Sequence, residues 1–404
     1  MKKPIALLLC GGLGTRMQPW HARRNKCLVG VENGEPLFAR HVRKLREGGF
    51  EVWAKVPMEH ELAFGEAAKP DHWISEETPA PSGSCLLEVA RKTKRRILTV
   101  VGDAWFDDGW YKDMFRRRDG PGNIGWIATE EPPDLGADWR GILETQFDGG
   151  ARYVTKVHET VNPKDHWKNP VFSAAMIYWP SGIEKISMPG DLMGHVLPAA
   201  LEAGFRFQCL HMAVKPGEFS ADLGTPERYA SWVLRRFTGR YDDGKAAVAI
   251  LKSERILTFG NGGAGTVAAH AALDWQKVGG KDVTCLNDGD KLSAWSNDGH
   301  FIDAIEAQVA RAKLTHKDAV VLFSASGESH NILLALNAAR CHPNQPRTVA
   351  VTRFNSKLVD ECEFKATYSA PGPKNTWGYG PLEDWMANWM HGVTAVMEGL
   401  RPWH

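Results

Sequence analysis

Net charge is nearly absent from this 404-residue chain: 49 Lys+Arg set against 48 Asp+Glu leave +1. No global field therefore draws in nucleic acid or an anionic membrane, and any anion must be held locally. Paired cysteines are also missing. The seven (Cys10, Cys27, Cys85, Cys209, Cys285, Cys341, Cys362) are scattered, odd in number and without a CxxC. That pattern argues against a disulfide framework and a cysteine zinc site, and it fits a reducing cytosol. No window approaches the roughly 18 apolar residues of a membrane span. Internal repeats and low-complexity tracts are lacking too. What remains is an ordinary globular composition, 43% hydrophobic and 24% charged, long enough for two or three domains with real cores.

The first twenty residues, "MKKPIALLLCGGLGTRMQPW", admit two readings. Lysines, an apolar run and a cysteine suggest a lipoprotein signal. The run from Ile5 to Leu9 is shorter than the roughly 7–15 residues of a signal core, and glycines and an arginine follow at once. A buried strand entering a glycine-rich phosphate loop is the better reading, and a cytoplasmic location goes with it.

Along the first half, "IALLLC", "FEVWAKV", "RRILTVVGD", "NIGWIAT" and "AAMIYW" read as strands, with helices in "PLFARHVRKLREGG" and "SCLLEVARKTK". The alternation restarts after "TGRYDDGK" and runs to a final helix from "PLEDWMANWMHGVTAVMEGL". Two successive α/β domains, each with a mostly parallel sheet, are expected. The expected division is 1–236, a linker at 237–245, and 246–404.

After the first strand come Gly11-Gly12-Leu13-Gly14-Thr15-Arg16 and then Lys26. Glycines let backbone N–H groups approach phosphate oxygens at the carboxyl end of a strand. Arg16 and Lys26 supply the charge a polyphosphate needs. The stretch "GGLGTRMQPWHARRNKCLVGVENGEPLF" resembles the opening of sugar-1-phosphate nucleotidyltransferases. "PSGSCLLEVA", "VVGDAWFD" and "FSADLGTPERY" follow in that family's order. The resemblance spans roughly residues 1–230 and implies a Rossmann-like nucleotidyltransferase sheet. It further implies that Leu9, Gly11, Gly12, Gly14, Thr15 and Gly83 contact an NTP. Arg16 and Lys26 would be catalytic, Asp103 and Asp222 would hold Mg²⁺, and Glu159 would meet a sugar phosphate. Asn25 stands where the family has proline, and Thr160 where it has lysine, with Lys156 the nearest substitute.

"ILTFGNGGAGTVAAHAALDW" again runs strand, glycine loop, helix. With "WSNDGHF", "LFSASGESHNILLAL" and "PLEDWMANWMHGVTAVME" it resembles the sugar isomerase (SIS) fold, and phosphoheptose isomerases in particular. That implies a three-layer αβα sandwich on a parallel sheet. Sugar-phosphate contacts would come from Asn261, Gly263, Asn297, Asp298, Ser324, Ser326 and Ser329. His270 and Asp274, four apart on one helix face, would join Glu383 and His391 as a set able to bind Zn²⁺. Eight residues of helix rise about 12 Å, so Glu383 and His391 share one ion only if the helix begins late or subunits contribute jointly. Asp274 and His391 would be the base and acid of aldose–ketose exchange.

Together the resemblances imply a bifunctional enzyme of nucleotide-activated heptose synthesis. One domain would isomerise sedoheptulose 7-phosphate to an aldoheptose 7-phosphate. The other would transfer a nucleotidyl group from an NTP to heptose 1-phosphate and release pyrophosphate. The alternative is a transferase regulated by a non-catalytic, sugar-phosphate-sensing SIS domain. The expected partners are NTP and sugar phosphates, with no nucleic acid and no membrane, and a dimer or tetramer built through the SIS domain.

Overall fold

In the computed structural model the described residues are 3–11, 15–17, 25–78, 80–117, 124–130, 142–158, 171–211, 221–240, 242, 244–368 and 379–400. The chain divides into two compact units, Met1–Gly224 and Thr225–His404.

The strands of the first unit are β1 (Ile5–Leu9), β2 (Glu51–Pro57), β3 (His72–Glu76), β4 (Ile97–Val101), β5 (Ala104–Trp105), β6 (Ile124–Glu130), β7 (Ile142–Asp148), β8 (Ala151–His158), β9 (Val171–Tyr178), β10 (Arg206–His211) and β11 (Ala221–Asp222). Its helices are α1 (Leu37–Glu47), α2 (Glu61–Ala67), α3 (Ser82–Thr93), α4 (Asp108–Arg116) and α5 (Leu197–Glu202). The main sheet runs β3-β2-β1-β4-β9-β6-β10-β8-β7. Its first four strands are parallel, whereas β9 is antiparallel to both neighbours.

β1 is apolar at every position because both its faces are covered. Ala6 and Leu8 face a core shared with Phe38, Val42 and Met114, and Ile5, Leu7 and Leu9 face one shared with Leu86, Val89 and Leu197. The opening "IALLL" is therefore a core strand of the sheet. A separate two-stranded ribbon, β5 with β11, brings Asp222 opposite Ala104.

The second unit begins with α6 (Pro226–Thr238) and α7 (Lys245–Lys252). There follow β12 (Arg255–Gly260), α8 (Gly262–Lys277), β13 (Asp282–Cys285), α9 (Gly289–Asp298), α10 (Ala304–Arg311), β14 (Ala319–Ser324), α11 (His330–Arg340), β15 (Arg347–Arg353), α12 (Lys357–Glu361), β16 (Phe364–Tyr368) and α13 (Tyr379–Gly399). The sheet, β13-β12-β14-β15-β16, is parallel throughout. Leu257, Phe259, Val320 and Leu322 face a core with α10, α11 and α12, while α7, α8 and α13 lie against the sheet from the other side. This is the expected αβα sandwich.

One expectation is corrected. The boundary lies at Gly224/Thr225 rather than at 236, and the stretch expected as a linker is built into the second unit. Thr225 caps α6 by accepting from the Arg228 N–H. Leu234 packs at Gly392 of α13, and Asp242 accepts hydrogen bonds from the Gly244 N–H and from Trp389 Nε1. Glycines and aspartates here satisfy the end of one helix and the start of the next, which in composition looks the same as a free linker.

Candidate functional site

In the first unit the reactive groups gather where β1 and β4 end. The Gly102 N–H donates to the Leu9 carbonyl, so the two strand ends are tied side by side. Asp103 follows immediately and is almost fully buried. Lys26 approaches from a short 3₁₀ turn and forms an ion pair and hydrogen bond with Asp103 Oδ2. Burial works against the Lys26 ammonium, but the Asp103 carboxylate overcomes it and holds the pKa above the usual lysine value. Arg16 pulls weakly the other way, so its charge is felt at Lys26 although its own side chain is exposed.

Asn25, in the place of a family proline, is accommodated without strain. Its φ of -65° is the angle proline would impose, and its side chain accepts from the Cys27 N–H at 3.0 Å as an N-cap. Asp222 reaches the same place through backbone alone. It pairs with Ala104, and the adjacent Leu223 N–H donates to the Asp103 carbonyl at 2.8 Å. The two candidate Mg²⁺ ligands, far apart in sequence, are thus neighbours along one ribbon. The Asp222 side chain, Gly12, Gly14 and Glu159 lie outside the described residues, as does the Thr15 side chain.

Gly83 has a packing role of its own. A side chain there would strike Val196 and the Gly190 carbonyl, and the Ser84 N–H donates to that carbonyl at 3.1 Å. Lys156, the alternative to the missing lysine, is exposed on β8.

In the second unit, His270 and Asp274 on α8 meet His391 on α13. His270 Nε2 and Asp274 Oδ2 are 3.5 Å apart, and the two imidazoles cross edge to face with centroids 5.1 Å apart. One ligand atom from each of the three lies within 4.8 Å of the others. Two imidazoles and a carboxylate at that spacing suit Zn²⁺. Glu383 does not join them. Its carboxylate sits over Gly263 in the first turn of α8, where unpaired N–H groups and the helix dipole favour a negative charge. The helical rise between Glu383 and His391 enforces this separation. It also fills the open side of Gly263, expected as a phosphate contact, with a carboxylate.

The serine turn divides its labour. Ser324, buried at the end of β14, accepts from the Gly327 N–H at 2.9 Å and so shapes the turn. Ser326 and Ser329 face each other, Oγ to Oγ at 3.2 Å, just ahead of α11. Gly327 has φ +66°, and a Cβ there would collide with Ser356. Asn261 and Asn331 exchange two hydrogen bonds of 2.9 Å, each amide donating to the other, which joins the β12 loop to α11. Asn297 and Asp298 are exposed at the end of α9.

Sequence reasoning passed over Lys55 and His41. Lys55 is a buried lysine on β2 that pairs with Glu76 of β3 at 3.0 Å. A lone lysine inside the apolar strand "VWAKV" was the available signal. His41 is fully buried on α1 with Nδ1 2.6 Å from the Tyr111 hydroxyl, and burial followed by the Arg40 charge lowers its pKa to about 3.

Comparison with known proteins agrees with this division. Residues 6–170 match the MobA-like NTP transferase domain family. The C-terminal region matches phosphoheptose isomerases: 32% identity over 124 residues to that of Solidesulfovibrio magneticus, covering 29% of this chain and 59% of the relative. Identity is 28% over 133 residues to that of Thermodesulfovibrio yellowstonii, covering 31% and 63%. The chain thus spans about six-tenths of the length of these curated relatives. Among solved structures, a UTP-bound UGPase from Acinetobacter baumannii aligns at 18% identity with a TM-score of 0.47, over 60% of this chain and 96% of that one.

Proposed function

We propose that this chain is a bifunctional enzyme of sugar-nucleotide synthesis. Its first unit transfers a nucleotidyl group from an NTP to a sugar 1-phosphate. Its second unit interconverts a phosphorylated ketose and aldose, with sedoheptulose 7-phosphate the substrate to test. The observation that carries the reading is the joint presence of two assembled sites, Lys26–Asp103 beside the 221–222 backbone and the His270–Asp274–His391 cluster.

In the transferase reaction an oxygen of the sugar phosphate attacks the α-phosphorus, and pyrophosphate leaves. Arg16 and Lys26 offset charge gathering on the phosphates, and Asp103 holds Lys26 charged until substrate arrives. Asp103 and Asp222 would hold Mg²⁺, which when bound screens the triphosphate. In the isomerase reaction a base takes the proton beside the carbonyl, an enediol forms, and an acid returns a proton at the neighbouring carbon. Asp274 and His391 fit these two roles. Ser326, Ser329 and the start of α11 offer donors to the distal phosphate. Alternatively, His270, Asp274 and His391 would hold Zn²⁺, which when bound would polarise a carbonyl oxygen, with Asp274 and His391 then serving as ligands in place of base and acid. A dimer or tetramer belongs to this proposal, and sedimentation at micromolar concentration tests it. Among the described residues no helix is long and apolar enough to cross a membrane.

The test is conversion of sedoheptulose 7-phosphate by the wild type and His391→Ala, with and without Zn²⁺, alongside pyrophosphate release from NTPs with heptose 1-phosphate. Turnover lost in the variant and pyrophosphate released by both proteins are expected. Sugar-phosphate binding without turnover in any condition would make the second unit a sensor. Absence of pyrophosphate release with every NTP would remove the transferase.

A further inference from the structure

Two largely buried ion pairs stand on either side of the carboxyl end of β1, and the proposed chemistry uses only one of them. On the β4 side is Lys26–Asp103. On the β2 side is Lys55–Glu76, with Lys55 at 2% exposure and in register with Leu9. The Lys55 ammonium also donates to the Ala80 carbonyl, and Glu76 Oε2 accepts from the Ala80 N–H at 2.9 Å. This ring of contacts ties β2 and β3 to the segment that leads into α3. Above it lies Gly11, where a Cβ would come within 3.2 Å of Lys55 Cε and 3.4 Å of Nζ.

A lysine ammonium carries three N–H donors. Glu76 and the Ala80 carbonyl engage this one, and the place a Cβ would take on Gly11 lies 3.4 Å from Nζ, so the first glycine of the loop is another of its neighbours. A buried ion pair is an expensive way to brace a strand, since apolar residues of similar volume do that as well or better. An ammonium beside Gly11, with one strand between it and the phosphate-handling pair, is suited to a ligand acceptor. Neighbouring strands are about 4.8 Å apart, so β2 and β4 stand roughly 10 Å apart across β1. A nucleotide whose phosphates lie at Lys26 would put its base on the Lys55 side.

The geometry points to Lys55 as the residue that reads the base, selecting nucleotides with a keto oxygen where adenine and cytosine carry an amino group. Guanine O6 and uracil or thymine O4 accept hydrogen bonds, whereas the amino groups of adenine and cytosine donate and would oppose an ammonium. Glu76, 3.0 Å from the ammonium, is the positioning residue that holds it in place. This inference rests on the transferase reading and adds the chemical class of its nucleotide.

The experiment measures dissociation constants of GTP, UTP, ATP and CTP for the full chain with Mg²⁺. The proteins compared are the wild type, Lys55→Met, and Lys55→Met with Glu76→Gln, the last removing the carboxylate charge left unpaired. Ratios of constants within one protein do not depend on the fraction folded. The wild type is expected to favour its best keto nucleotide over ATP and CTP by at least about 10-fold, the worth of a charged hydrogen bond. Both variants should bring that ratio to within about 3-fold. An unchanged preference in the variants, or equal weakening for all four nucleotides, would overturn the inference and leave Lys55 a clamp. A wild type that binds ATP or CTP best would overturn it as well. A wild type that binds none of the four would remove the transferase reading itself.

Discussion

The two units handle charge in opposite ways. In the first, the described ionic groups at the carboxyl ends of β1, β2 and β4 are largely buried and already paired, Lys26 with Asp103 and Lys55 with Glu76, whereas Arg16 is exposed. In the second, His270 and Asp274 keep 48% and 27% of their side-chain surface exposed, and the serine turn sets two hydroxyls, Ser326 and Ser329, side by side ahead of α11. The difference follows from what each would bind. A triphosphate brings several negative charges, and a site that must receive them gains from cations fixed beforehand in a low dielectric. A sugar monophosphate brings less charge. Neutral donors and a helix start suffice for it.

The largest test of this contrast is Asp103→Asn. Removing that charge frees Lys26 and takes away a candidate Mg²⁺ ligand, so pyrophosphate release should fall by about 10³-fold while isomerase turnover stays unchanged. His391→Ala is the reciprocal variant. Isomerase turnover should drop by about 10²-fold or more with pyrophosphate release intact, and parallel assays of both variants show whether the sites are independent. Gly327→Ala should destabilise the second unit by about 2–3 kcal/mol in denaturant unfolding, because φ is positive and Ser356 occupies the space.

A pH test separates the units further. His41 has a folded pKa near 3, below its ordinary 6.5, so the unfolded chain binds a proton there before the native state does. Stability of the first unit is then full above about pH 6.5 and falls as pH drops toward 3, by about 1.4 kcal/mol per pH unit at most. His41→Gln should flatten that slope in melts between pH 7 and 4. The smallest effect belongs to Asn25→Pro. The backbone angle already suits proline, so only the cap to Cys27 is lost, about 1 kcal/mol or less in a melting curve.

Legibility varied with burial. β1, β2, β4 and β12 were read directly, because strands covered on both faces appear as nearly unbroken apolar runs. β3, "HWISE", escaped because Glu76 and His72 interrupt the run, and Glu76 is there to hold Lys55. The β7–β8 hairpin, with Phe147 exposed and Thr145 buried, has too little alternation to announce itself. β5 and β11 are two residues each and carry no periodic signal. The first boundary was misplaced for a related reason: α6 has a regular apolar stripe, but nothing in a stripe names the partner it will meet.

What the residues determined unaided is the local chemistry. An apolar strand before glycines makes a loop at a sheet's carboxyl end, His270 and Asp274 at four-residue spacing share a helix face, and Ser326 and Ser329 precede a helix start. Each depends on interactions within a few residues, which composition and period specify. Only the tertiary structure decided that a two-residue ribbon sets Asp222 beside Asp103, that His391 meets the α8 pair while Glu383 goes to the helix start, and that Lys55 lies under Gly11. Those contacts join segments far apart in the chain. Their geometry is set by how whole elements pack to bury apolar area, which no local pattern encodes.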